Sequence, residues 1–284
     1  PGRRRTSRRP GGRSVVVAKM VDFAGACQMK PRAFDYLAAA TPEEVVEGLA
    51  RAGEDARLLA GGLSLVPMLN YRLVEPGLLI DISRIETLRY ARVEDGALEV
   101  GAATTQAELG QWPELADRAP LLAAAIPFLG HFQTRSRGTV CGSLAHADPS
   151  SELPLCLATL RGQVILRGTR GERVLSADQF QLGMLTTARE PDEFIAAARF
   201  PLRQPGEGYA FHEMARKRGD FAIVAVAAVV TETEIRLGVG GVADRPVVRQ
   251  WGALAEDELG DALNAFAWDL GGYDDVHATA RYRR

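Results

Sequence analysis

Two glycine-containing loops constrain the fold of this chain more than any other feature. The first, Ala60-Gly61-Gly62-Leu63-Ser64-Leu65, directly follows residues 57–60, a short segment that is predicted to be a buried strand. Adjacent glycines allow positive φ and carry no Cβ atoms, so consecutive N–H groups can form a concave nest that suits a pyrophosphate. Ser64 adds a hydroxyl donor. Taken alone, this loop is equally compatible with an ordinary tight turn between a strand and a helix.

The second loop, Gly138-Thr139-Val140-Cys141-Gly142-Ser143, contains the same kinds of residue. We interpret residues 130–142 as one long loop that leads into a helix at residues 151–160. Asp148 and Glu152 follow the glycines, and a carboxylate beside a dinucleotide can accept a hydrogen bond from a ribose hydroxyl. Two loops of this kind in one chain predict a dinucleotide site better than they predict two unrelated turns.

The composition indicates a soluble globular protein. The chain has 284 residues, of which 46% are hydrophobic and 25% charged, and its length suggests two domains. A net charge of -2 gives no general attraction to nucleic acid or membranes. Cys27, Cys141 and Cys156 lack C-x-x-C spacing and are too few for a four-cysteine cluster, so any iron–sulfur cluster must lie on a partner. We expect a reducing cytoplasm, and no metal site on this chain.

The first 28 residues differ in amino-acid composition from the rest of the chain. They are rich in arginine, glycine and proline, and their short apolar run at residues 15–21 is interrupted by Lys19. Such a run is too short for a secretory signal peptide. We therefore predict that residues 1–28 are a disordered extension and that Met29 is the true start.

Helices and strands alternate from Met29 onward. Thr41-Pro42-Glu43-Glu44 predicts a capped helix that ends at Gly53, and Thr105 with Glu108 predicts a second cap. Other strands are predicted at residues 78–82, 97–102, 163–167, 194–200, 221–231 and 234–238, and helices at 105–111, 121–129 and 254–266. Residues 201–208, rich in proline and glycine, predict the main domain boundary.

Residues 238–243 formally satisfy G-x-G-x-x-A after a strand. Asp244, Arg245 and Pro246 follow at once, so no helix opens there to present its N-terminus to a ligand. We interpret this segment as a glycine-rich strand end and not as a dinucleotide fingerprint.

In order along the chain, A-G-G-x-S-L-V-P, an L-I-D-I strand and R-G-T-V-x-G-S-L-A-H-A-D-P resemble motifs of one family. This is the FAD-binding medium subunit of the molybdenum hydroxylases, the family of carbon monoxide and xanthine dehydrogenases. The resemblance runs from about Met29 to the C-terminus and includes A-R-K-R-G-D-F-A at residues 215–222. The chain ends at Arg284, inside what resembles the last helix of the family.

The resemblance implies an α/β (α+β) fold. Residues 29–203 would form an FAD-binding domain of the vanillyl-alcohol-oxidase/PCMH type, with subdomains at about 29–83 and 84–203. Residues 204–284 would form a smaller α+β domain like that of carbon monoxide dehydrogenase flavoproteins. FAD would lie in the cleft between the two subdomains.

The resemblance also implies the cofactor-binding residues, and it implies no catalytic residue on this chain. The residues implied at the pyrophosphate are Ala60, Gly61, Gly62, Leu63, Ser64 and Leu65. Those implied on the other side of the dinucleotide are Thr139, Val140, Cys141, Gly142 and Ser143, with Glu152 on the adenosine side and His212 near the flavin. Cys141 stands where the family more often has a second glycine, so its backbone cannot require a positive φ. We interpret its thiol as a small buried filler and not as a covalent flavin link.

The function implied is electron relay within a heteromeric complex. A large partner would oxidise the substrate at molybdopterin, and a small partner would pass electrons through two-iron two-sulfur clusters to FAD on this chain. An external acceptor would then take them, with no nucleic acid or membrane insertion involved. Two alternatives stay open: a stand-alone FAD-dependent oxidoreductase, and a non-enzymatic assembly module with a degenerate flavin site.

Overall fold

The computed structural model describes residues 30–284. The predicted disordered extension at residues 1–28 and the predicted start at Met29 lie outside the described residues. Within residues 30–284, every helix is too short or too polar to cross a membrane.

Strands and helices are numbered here in chain order. The strands are β1 (Asp35–Ala38), β2 (Ala56–Leu59), β3 (Leu78–Asp81), β4 (Ala91–Glu94), β5 (Ala97–Gly101), β6 (Gln163–Gly168), β7 (Gly171–Ser176), β8 (Gln181–Gly183), β9 (Thr186–Thr187), β10 (Phe194–Pro201), β11 (Gly208–Met214), β12 (Val224–Val230), β13 (Glu234–Gly240) and β14 (Val247–Gly252). The helices are α1 (Pro42–Ala52), α2 (Leu65–Asn70), α3 (Gln106–Gly110), α4 (Leu115–Arg118), α5 (Pro120–Ala125), α6 (Phe132–Arg135), α7 (Val140–His146), α8 (Glu152–Thr159), α9 (Ala177–Phe180), α10 (Glu256–Leu270) and α11 (Ala280–Arg283).

The N-terminal part is a small parallel sheet in the order β1-β3-β2. Helix α1 begins at Thr41, whose hydroxyl accepts the N–H of Glu44, and it ends at Gly53 with φ of +55°. The predicted cap and stop are thus confirmed. Val45 and Leu49 of α1 are fully buried and form part of the core. Strand β2 leads straight into the first glycine loop, as predicted.

A second sheet has the antiparallel order β4-β5-β10-β6-β7. Its central strand β10 is almost entirely buried. The predicted capping box before α3 is confirmed, since Thr105 and Glu108 bond reciprocally. The helix predicted over residues 121–129 is shorter than expected. It ends at Ala125 and continues as a 3₁₀ turn, Ile126–Phe128, because Pro127 cannot donate a helical hydrogen bond.

The predicted long loop at residues 130–142 is wrong. This segment contains α6 and the start of α7, and Gly142 lies inside α7. The side chain of Thr139 caps α7 by accepting the N–H of Gly142, so a cap organises a segment whose glycines suggested a loop.

The C-terminal part is an antiparallel sheet in the order β11-β12-β13-β14, with α10 packed on it through Phe266 and Trp251. The strand predicted from residue 221 begins only at Val224. Gly238 and Gly240 lie in β13, and the chain turns at Gly241 with φ of +80°, which confirms the strand-end interpretation of residues 238–243. The domain boundary predicted at residues 201–208 falls between β10 and β11 and stays a prediction.

Helix α8 joins the sheets. All of its residues are buried, and it packs on α5, α7, β12 and β13. A Cβ at Gly238 would overlap the hydroxyl of Thr159, so glycine lets β13 approach α8 directly. The first residue of α8, Glu152, thereby lies where the central core meets the C-terminal sheet.

Candidate cofactor-binding cleft

A cleft of about 780 Å³ opens between the N-terminal parallel sheet and the rest of the molecule. Its walls come from the first glycine loop, from α7 and the start of α8, from residues 185–189 and from residues 219–221. A volume of this size is typical of a cofactor or ligand site.

The first glycine loop forms one wall. Gly62 has φ of +76°, which glycine adopts without strain. A Cβ at Gly61 would overlap the carbonyl oxygen of Arg137 and lie 2.8 Å from Cα of Gly138. Gly61 is therefore needed so that the two loops can touch, a reason that the sequence did not reveal. Among the described residues, the N–H groups of Gly62, Leu63 and Ser64 have no backbone acceptor, and all three residues line the cleft.

The second loop contributes a helix start. Thr139, Cys141, Gly142 and Ser143 line the cleft, but the Thr139 hydroxyl is engaged with the N–H of Gly142 at 3.0 Å. Cys141 has no positive φ, in agreement with the prediction, and its buried thiol lies 3.5 Å from the carbonyl oxygen of Val100. Burial raises the pKa of this thiol to about 12, so it stays protonated and unreactive.

Left-handed backbone occurs at two non-glycine residues beside the cleft. Ala147 ends α7 with φ of 51°, and Leu185 has φ of 52°. The N–H of Leu185 donates to the carbonyl oxygen of Ala147 at 3.0 Å. Such strained conformations concentrate at functional sites, where surrounding contacts hold them. No signal in the sequence marks this pair.

Two arginines that sequence reasoning missed line the cleft. Arg57 donates to the carbonyl oxygens of Glu54 and Ala56, and Arg189 donates to those of Glu190 and Glu193, each at 2.8 Å. Burial, and then the charge of Arg57, lowers the pKa of Arg189. Within the described residues neither guanidinium has a carboxylate partner at ion-pair distance, so this wall is suited to an anionic ligand.

Glu152 lines the cleft as predicted and is only 7% exposed. Burial raises its pKa to about 7. Sequence reasoning missed Glu213 on β11, a half-buried residue whose Oε2 atom is buried without a hydrogen-bond partner among the described residues. Burial and then the Glu152 charge raise the pKa of Glu213 to about 8. The alternation of Tyr209, Phe211 and Glu213 along β11 was the available signal, since residues two apart share one face.

Most of the predicted site residues surround this cleft. Those that line it are Ala60, Gly61, Gly62, Leu63, Ser64, Leu65, Thr139, Cys141, Gly142, Ser143 and Glu152. Val140 does not line it, because this residue is fully buried in the core. His212 does not line it either, because the pleat of β11 leaves His212 exposed on the face opposite Glu213.

The cleft fits the group that the sequence implied. FAD carries a pyrophosphate with two negative charges, and the wall offers unpaired N–H groups at residues 62–64 together with two guanidinium groups. The start of α7 at Thr139 lies beside the first glycine loop, because Gly61 touches the backbone of Gly138. These residues can hold an anionic dinucleotide without any metal ion.

Comparison with known proteins also indicates that this chain has an FAD-binding domain. Residues 32–203 match the family described as the FAD binding domain in molybdopterin dehydrogenase. The chain is 35% identical over 268 residues to the 6-hydroxypseudooxynicotine dehydrogenase complex subunit alpha of Paenarthrobacter nicotinovorans, covering 90% of each chain. It is 37% identical over 229 residues to the carbon monoxide dehydrogenase medium chain of Hydrogenophaga pseudoflava, covering 79% of this chain and 80% of that one.

Solved structures of other proteins also resemble this chain. A chain of carbon monoxide dehydrogenase from Hydrogenophaga pseudoflava, in a form that lacks the Mo-pyranopterin moiety, superimposes with a TM-score of 0.84 at 33% identity. That match covers 90% of this chain and 93% of the other. Quinoline 2-oxidoreductase from Pseudomonas putida 86 gives a TM-score of 0.83 at 32% identity, with the same coverage. These matches confirm the predicted α/β fold class.

Proposed function

Because the chain belongs to the family of FAD-binding medium subunits of molybdenum hydroxylases, we propose that it carries FAD within a heteromeric dehydrogenase complex. A large partner holds molybdopterin and oxidises the substrate, and a small partner holds two-iron two-sulfur clusters. Electrons from those clusters leave through this chain to an external acceptor. We place the complex in the cytoplasm. The observation that carries the proposal is the cleft with an anion-binding wall, on a chain that matches medium subunits over most of its length.

The residues of this chain bind and orient the cofactor. The N–H groups of Gly62, Leu63 and Ser64 are available to phosphate oxygens, and Arg57 and Arg189 offset the charge of the pyrophosphate. The protonated thiol of Cys141 supplies no nucleophile, which favours noncovalent binding. When bound, FAD supplies the redox chemistry, and the protein supplies position and electrostatics.

Acid precipitation tests the cofactor part of the proposal. The purified chain should be yellow, and denaturation in acid should release FAD into the supernatant. Flavin that stays with the pellet, or release of FMN alone, would contradict noncovalent FAD binding.

A reconstitution experiment tests the relay. Purified chain is mixed with candidate substrates, such as carbon monoxide, an aldehyde or an N-heterocycle, and bleaching of the flavin band is followed. We expect bleaching only after the large and small partners are added. Bleaching by a substrate with this chain alone would indicate a stand-alone oxidoreductase. A colourless chain that still assembles with the partners would indicate an assembly module.

A further inference from the structure

The loop between β9 and β10, residues 188–193, contains Arg189, which lines the cofactor cleft. The Nη1 group of Arg189 donates to the carbonyl oxygens of Glu190 and Glu193, each at 2.8 Å. Its Nε and Nη2 groups have no hydrogen-bond partner within residues 30–284, so they remain available to a ligand in the cleft. The position of this guanidinium group therefore depends on two main-chain oxygens of its own loop.

The buried carboxylate of Glu193 fixes those two main-chain oxygens. The Glu193 side chain is only 6% exposed and accepts two parallel hydrogen bonds from the guanidinium group of Arg173 on β7, at 2.7 and 2.8 Å. The same carboxylate accepts the N–H of Glu190 at 2.9 Å, and the N–H of Glu193 donates to the carbonyl oxygen of Glu190 at 3.0 Å. Glu193 thus ties both ends of the turn that holds Arg189, and we call Arg173 and Glu193 the anchor pair.

The hairpin of β6 and β7 supports this loop from outside the cleft. Arg173 also donates to the carbonyl oxygen of Ala188 at 2.7 Å, so it contacts the loop on both sides of Arg189. A Cβ at Gly168 would lie 2.9 Å from Cγ of Glu193, and glycine there lets the hairpin approach the loop closely. Neither member of the anchor pair lines the cleft. The anchor pair can therefore act on a ligand only through the loop that it holds.

Resting on the proposed function, we propose that the anchor pair positions Arg189 for contact with the phosphate oxygens of FAD. Arg57 lines the same cleft, and two positive charges near each other repel. A free arginine side chain would move away from that repulsion and would lose rotamer entropy on binding a ligand. A guanidinium group that is already fixed avoids much of this cost, so the anchor pair should increase the affinity for FAD.

A double-mutant cycle tests this coupling through the Kd for FAD of the full, deflavinated chain, measured by quenching of flavin fluorescence. Arg189→Ala should raise the Kd about tenfold or more, because it removes charged donors to the phosphates. Glu193→Gln should also raise it about tenfold, because it removes the charge that holds Arg173. In the Arg189→Ala background, however, Glu193→Gln should change the Kd by less than about twofold. Glu172→Gln, at an exposed site beside Arg173 on β7, is the matched control and should leave the Kd at the wild-type value.

Arg173→Lys provides a second variant if Glu193→Gln fails to fold. Lysine keeps the positive charge but cannot form two parallel bonds to one carboxylate, so we expect the Kd to rise about threefold. This rise should also disappear in the Arg189→Ala background.

Three results would overturn the inference while leaving the proposed function intact. The first is an equal rise in Kd with and without Arg189, which would indicate a general structural role for the anchor pair. The second is a wild-type Kd for both anchor-pair variants, and the third is a wild-type Kd for Arg189→Ala. A wild-type chain that binds no FAD would overturn the proposed function as well.

Discussion

In the first glycine loop, residues 60–65, the chain turns at Gly62 with φ of +76°, whereas in the second, residues 138–143, it enters helix α7 from a Thr139 cap. Both loops contain glycines and hydroxyl residues, but the glycines have different structural roles in the two loops. Gly62 supplies a backbone conformation. Gly142 supplies space, because a Cβ there would lie 2.5 Å from the Thr139 hydroxyl oxygen. Similar composition therefore predicts a shared cleft, but not a shared mode of binding.

The two loops also differ in how strongly their residues should affect the shape of the cleft. Gly61 lies against the backbone of Arg137 and Gly138, so the first loop is held in place by the second. Substitutions in the first loop should therefore disturb both walls of the cleft, and substitutions in the second should act more locally. Four substitutions test this difference.

Gly61→Val should have the largest effect. Its side chain would overlap backbone atoms that cannot move without separating the loops, so we expect loss of FAD and destabilisation by about 3 kcal/mol or more. FAD content after purification and the melting temperature measure both effects. Gly252→Val, at an open position of β14, is the matched control and should retain FAD. A Gly61→Val chain that keeps its full FAD would show that the contact between the two glycine loops does not shape the cleft.

Gly62→Val should abolish FAD binding at a smaller cost in stability. The left-handed backbone costs a side chain about 1–2 kcal/mol, and a β-branched residue tolerates it worst. Gly62→Asn is the control, since asparagine adopts this conformation more readily. Titration with FAD should rank the affinities as glycine, asparagine and then valine. Equal affinities for asparagine and valine would show that the positive φ is not what matters.

Thr139→Ala should remove the cap of α7 and destabilise the chain by about 1 kcal/mol. Because this hydroxyl already accepts the N–H of Gly142, we expect only a modest loss of FAD affinity. Denaturant unfolding and FAD titration separate the two quantities, and Thr139→Ser should restore both. A large loss of affinity at unchanged stability would instead assign the hydroxyl to the cofactor.

Cys141→Ala should have the smallest effect, about 1 kcal/mol or less, because it removes one buried sulfur atom. The variant should keep its full FAD, and acid should still release that FAD. Measured against the wild type, a loss of bound flavin would indicate that the thiol contacts the cofactor. The outcome bears on the second loop alone, since Cys141 faces the carbonyl oxygen of Val100 and not the first loop.

Features that depend on neighbours along the chain were determined by the sequence alone. The caps at Thr41 and Thr105 join residues three apart, and the strand that precedes Gly61 is a short apolar run. The two glycine loops predicted a dinucleotide cleft, and together with the L-I-D-I strand and residues 215–222 they resembled one family. The caps and the turn at Gly62 depend on backbone conformation and local hydrogen bonding, which nearby residues control, whereas the family was indicated by the resemblance of the motifs.

Features that depend on distant residues were decided only by the tertiary structure. Arg57, Arg189 and Glu152 line one cleft because segments far apart in the chain fold around it. The sequence suggested His212 near the flavin, but the pleat of β11 directs Glu213 inward and leaves His212 exposed. A shift of one residue along a strand exchanges its two faces, so which of two neighbouring polar residues faces the core depends on how the sheet packs.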